Sequence, residues 1–111
     1  MSVTAIDVLE KQPAESIKYA IDFTNLLRDG ETLSTLTSIL EVGTSALTLT
    51  EKAINTVALT KRSGNVMAIG KGVEVRVAGG ADGVTYRIEA IAVTSSGNTR
   101  VGDVLVKVAA T

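Results

Sequence analysis

The residues that could do chemistry in this 111-residue chain are carboxylates, lysines, two tyrosines and hydroxyls, because histidine and cysteine are both absent. That absence excludes serine-histidine triads, thiolate nucleophiles and the usual zinc sites. It leaves the redox compartment undetermined. Glu10, Glu15, Asp22, Glu74, Glu89 and Asp103 are available for acid and base roles. Glycoside hydrolysis needs two carboxyls flanking a cleft. Here they fall mostly at outward positions of alternating runs, and with one Phe, two Tyr and no Trp there is little to hold a sugar. Asp82 with Asp29 or Glu31 is the nearest approach to a calcium set, but no D-x-D-x-D run exists. The glycines Gly79, Gly80 and Gly83 precede the strand-like TYRIEA rather than a helix, so they read as a hairpin or inter-sheet loop, not a phosphate cradle. No catalytic residue, cofactor or metal is expected, and the chain reads as a non-enzyme.

Charge narrows the partners. Eleven basic and 12 acidic residues give a net charge of -1 and are spread along the chain. No stripe tracks phosphates, and no aromatic platform stacks bases, so nucleic acid is not an expected partner. No apolar stretch approaches membrane-spanning length. The opening MSVTAIDVLEKQP lacks a basic start and a long apolar run, so the expectation is a protein made without a cleaved export signal.

The elements that position these residues read as strands. Ile17, Tyr19, Ile21 and Phe23 alternate with Ser16, Lys18, Ala20 and Asp22, the period-2 pattern of a half-buried strand. Residues 32–42 suit a strand ending at Gly43. Leu33, Leu36, Ile39 and Leu40 also fit a helical template, but Thr32, Thr35 and Thr37 are poor helix formers and the flanking elements are strands. Residues 46–50 and 56–61, joined by EKAIN, and residues 66–69 are short strand candidates. Residues 73–108 then read as three alternating runs separated by GGADG and SSGN.

Counting the first run, this is about seven strands with turn signals roughly every 8–12 residues, the pattern of an all-β, immunoglobulin-like antiparallel sandwich. One domain is expected over residues 14–111, with residues 1–13 as an N-terminal arm or edge strand broken by Pro13.

Tyr86, at the start of the penultimate strand, is placed to make a corner bond back to loop backbone. On the opposite face, Ile91, Val93 and Leu105 interrupt a charged outward pattern, and if aligned they form a patch that a partner could cover. Leu26 and Leu27, before the Asp29-Gly30 turn, either plug one end of the sandwich or act as a docking knob. These five residues are the candidate protein interface.

Two motifs carry a resemblance. Tyr19, Ile21, Asp22 and Phe23 lead into Leu27, Asp29, Gly30, Glu31, Thr32 and Leu33; later come Gly79, Gly80, Gly83, Tyr86, Thr94 and Gly97. In that order they resemble a family of small tailed-phage virion proteins of the fibre-tail adaptor kind, although Leu26 stands where that family typically has tryptophan. The resemblance implies a virion structural protein, made in the host cytoplasm, that attaches in multiple copies to other phage structural proteins and to copies of itself, as tail or neck adaptor or as capsid decoration. It makes residues 2–12 a candidate binding arm. The competing reading is an immunoglobulin-like adhesive or carbohydrate-binding module of a bacterial surface protein.

Overall fold

A computed structural model describes residues 7–60 and 66–110. The chain forms β1 (Asp7–Lys11), β2 (Ile17–Asp22), a single 3-10 turn η1 (Thr24–Leu26), β3 (Leu33–Val42) and β4 (Leu47–Ile54). It continues through β5 (Leu59–Thr60), β6 (Val66–Met67), β7 (Gly72–Gly79), β8 (Val84–Thr94) and β9 (Thr99–Val108). A four-stranded sheet ordered β1-β9-β8-β3 faces a three-stranded sheet ordered β2-β7-β4, and β5 pairs with β6 as a separate ribbon. The protein is all-β, a sandwich of two sheets.

Alternation dictates the core. Ile21 of β2, Val73, Val75 and Val77 of β7, Tyr86, Ile88, Ala90 and Ala92 of β8, and Val104, Val106 and Val108 of β9 are all buried. Burying each branched aliphatic contributes about 1.5–3 kcal/mol, which makes this layer the main source of stability. Phe23 is fully buried at the end of β2. Its ring approaches β9 so closely that a Cβ at position 102 would lie 2.9 Å from it, which is why the strand carries glycine there. Tyr86 is buried and its hydroxyl accepts a hydrogen bond from the Ala81 N–H at 2.8 Å, fixing the loop between the sheets.

Polar groups close the edges. β1 runs parallel to β9, from Asp7 opposite Val104 to Lys11 opposite Val108. The Lys11 side chain is buried, and its ammonium donates to the carbonyls of Gln12 (2.7 Å), Pro13 (3.3 Å) and Gly79 (2.6 Å), the last on the other sheet. A buried charge is tolerable because those carbonyls replace its water. Residues 1–6 of the expected arm lie outside the described residues.

Two expectations change. EKAIN is not a joint between separate strands: β4 runs through it, with a register shift between Thr50 and Ala53 and Glu51 at φ 51. A bulge absorbs what the sequence suggests is a break. Of residues 56–61, the described ones, 56–60, contribute the two-residue β5, and residue 61 lies outside the described residues. Asn55 organises that segment: buried, it donates to the carbonyls of Val57 and Ala68 (both 2.9 Å) and accepts from the Gly72 N–H (3.1 Å).

Candidate docking surface

The register of the four-stranded sheet sets what its outer face presents. β8 and β9 pair Val93 with Thr99, Ile91 with Val101, Glu89 with Asp103 and Arg87 with Leu105. β3 adds Ser38 opposite Ile91, Leu40 opposite Glu89 and Val42 opposite Arg87. Directly paired residues share a face. Ile91, Val93, Val101, Leu40, Val42 and Leu105 therefore ring a charged centre of Arg87, Glu89 and Asp103.

The ring is open to solvent. Leu40 is 56 % exposed, Val42 44 % and Val101 40 %, while Ile91, Val93 and Leu105 are half-buried. Inside it, the Arg87 guanidinium pairs with Asp103 Oδ2. Asp103 Oδ1 is buried without a hydrogen-bond partner among the described residues. Glu89, half-buried beside it, forms no hydrogen bond or ion pair among the described residues. A carboxylate oxygen without a donor in such surroundings is unusual enough to need a reason.

The five sequence candidates divide. Ile91 and Val93 lie on this face near its β8–β9 turn. Leu105 shares the face but is separated from Ile91 and Val101 by the Glu89–Asp103 row, so it lies beside Arg87 on the far side of the charges. Leu26 is enclosed by the core at the end of η1, and Leu27 is half-buried against the same cluster. That pair caps one end of the sandwich. Leu40, Val42 and Val101 escape the sequence reading. The parity of β9 contains Val101, two residues before Asp103, whereas bulges in β3 hide the facing of Leu40 and Val42.

The turn below Val93 and Val101 is held rigidly. Buried Glu31 accepts from the Arg28 N–H (2.9 Å), the Thr94 hydroxyl (2.6 Å) and the Asn98 side-chain amide (3.4 Å). Those hydrogen bonds, led by the Arg28 N–H, hold its carboxyl at about 2 against burial, which pushes the other way. Lys71 Nζ donates to the Glu31 carbonyl at 2.5 Å, tying the β6–β7 turn to the same point. At the other end of β3, burial would raise the Glu41 carboxyl, but hydrogen bonds from the Thr44 hydroxyl and the Leu47 and Ala46 N–H groups outweigh it and lower its pKa.

Three other carboxylates have structural tasks. Glu15 accepts from the Gln12 N–H (2.6 Å), Asp22 from the Thr24 N–H (2.9 Å), and Asp82 from the Ala110 N–H (2.9 Å). Among the described residues no acidic cluster could hold a metal ion. No helix among them is long and apolar enough to cross a membrane.

The model of one protein family, described as Podophage GP4 fiber-tail adaptor protein gp77, matches residues 11–107. The chain belongs to this family. No curated protein matches it. As a member of the fibre-tail adaptor family, it is a structural protein of a bacteriophage virion. The match covers both strand-and-turn motifs and runs through the region between them, residues 43–71, where the sequence offers no motif. It takes in the whole of β3 and β8 and nearly all of β9, the strands that carry the apolar face.

Proposed function

We propose that the chain works without catalysis as a small rigid connector of the phage tail, and that it docks to a neighbouring virion protein through the outer face of its four-stranded sheet. The observation that carries this reading is the ring of Leu40, Val42, Ile91, Val93, Val101 and Leu105 on one sheet. Apolar side chains gathered on one surface and rimmed by polar groups are what a protein interface requires. Rigidity suits the task, because a preorganised surface loses little entropy on binding. The chain acts in several copies, their number set by the symmetry of the tail to which they attach. Residues 2–12 contribute as an arm, of which Asp7–Lys11 already serves as an edge strand.

The strand order supports the immunoglobulin-like reading of the sandwich. Three strands, β2, β7 and β4, stand against β3, β8 and β9, with Tyr86 in the corner position.

The test is quantitative recovery on the particle. Phage carrying Ile91→Asp should hold far fewer copies of the chain per purified virion, by quantitative mass spectrometry, than phage carrying Thr50→Asp on the other sheet. Equal copy numbers would refute the assignment of the face.

A further inference from the structure

The docking face is electrically unfinished at its centre. Arg87 supplies one positive charge, while Glu89 and Asp103, directly paired across β8 and β9, supply two negative ones. One carboxylate is left without a counter-charge. Asp103 Oδ1 is already shielded from water with no donor among the described residues, although the side chain as a whole keeps 14 % of its surface open. An apolar partner closing over the ring would strip water from Glu89 as well. Burying a bare carboxylate is prohibitive unless a cation arrives with the partner.

Building on the docking reading above, we propose that the occupant is a segment of another virion protein presenting an arginine or lysine, flanked by apolar side chains, over Glu89 and Asp103. Arginine suits the position best, because its fork can serve two carboxylates and its stem packs along apolar neighbours. A second copy of this chain is a poor occupant. In a two-fold, face-to-face pairing the same patch meets itself, so four carboxylates would share only two Arg87 side chains and the excess negative charge would be doubled rather than cancelled. The other sheet shows that the fold can balance such a face. There Lys18 and Arg76 are matched by Glu51 and Glu74 in ion pairs.

The test uses phage carrying Glu89→Arg, Glu89→Gln or Ile91→Asp in the full chain. Copies of the chain per particle are counted, and the purified variants are melted. Glu89→Arg is expected to lower attachment by at least ~10-fold with a near-normal melting curve, and Glu89→Gln by several-fold. Selection for regained infectivity from Glu89→Arg should then yield changes of one basic residue to a neutral or acidic one in a single other virion protein. If Glu89→Arg melts early, the near-isosteric Glu89→Gln carries the same test. Normal attachment of both Glu89 variants alongside loss with Ile91→Asp would overturn the cation while leaving the docking face standing. Normal attachment of all three would overturn the docking face itself. Suppressors confined to this chain would overturn the proposal in favour of self-association.

Discussion

The two outer faces of the sandwich are built by the same alternation and end up chemically opposite. On the three-stranded sheet, Lys18 pairs with Glu74 (3.7 Å) and Glu51 (3.9 Å), and Arg76 also pairs with Glu51. Around them stand Ala20, Thr48, Thr50, Ala53 and Ala78, in register with the charges. Every charge in that set has a partner, and the neighbours are small or hydroxylated. On the four-stranded sheet Arg87 pairs with Asp103 but Glu89 has no partner among the described residues, and large apolar side chains stand beside them. A face with satisfied charges gains little from being covered, because covering it only desolvates pairs that water already serves well. A face with exposed aliphatics and an unpaired carboxylate gains from the right cover. On the docking proposal, the difference leaves one sheet to solvent and the other to a neighbour.

The largest expected effect is on attachment. Ile91→Asp, or Val101→Asp, should weaken binding to the particle by roughly 30-fold or more, on the scale of about 2 kcal/mol for an interface anchor. Thr50→Asp at the matching position of the other sheet should stay within about twofold. Competition binding to particles stripped of the chain measures both.

Next in size, Asn55→Ala should destabilise the fold by about 3 kcal/mol, because it removes the acceptor of the buried Gly72 N–H and a donor to the Val57 and Ala68 carbonyls, of which Ala68 keeps only the Lys71 N–H. Hydrogen exchange should quicken in β4 and β7 before β8 and β9. Quickening in β8 first would mean that the two sheets do not yield separately.

Acid should act on the docking side. The Glu31 carboxyl lies near 2 in the folded chain against an ordinary 4.5, so its contribution is fully present above about 4.5 and is lost as pH falls toward 2. Melting temperature should therefore fall as pH is lowered through that window. Glu31→Gln should flatten the slope and loosen the β8–β9 turn.

The smallest effect is expected from Glu51→Gln on the balanced face. Half-exposed ion pairs contribute about 0–1 kcal/mol, so stability should barely move and attachment not at all.

Much of this was legible before any coordinates. The inward sets of β2, β7, β8 and β9 follow period 2, and the Tyr86 corner is visible from its place after GGADG. β3 shows why other parts were not. Leu33, Leu36 and Ile39 all pair with inward residues of β8, namely Thr94, Ala92 and Ala90, because register shifts fall between Leu33 and Thr35 and between Leu36 and Ser38. Each bulge adds one residue, turning a spacing of two into three. The same spacing mimics a helix, and it turns Leu40 and Val42 outward where alternation cannot place them. Asn55 and Glu31 were hidden for another reason. Their worth depends on partners far along the chain, such as Gly72 and Thr94, which no local pattern connects. Leu26 and Leu27 were ambiguous because a loop leucine plugs a core or a partner with the same chemistry. In the folded chain Leu26 is buried in the core cluster and Leu27 is half-buried against it.

Residue-resolved footprinting of the chain on intact phage particles tests the central claim most directly. Ile91, Val93, Val101 and Leu40 should be protected on the particle relative to the free chain, while Glu51, Arg76 and Thr50 remain as reactive as in solution. Protection of the three-stranded face with the apolar ring left open would contradict the account.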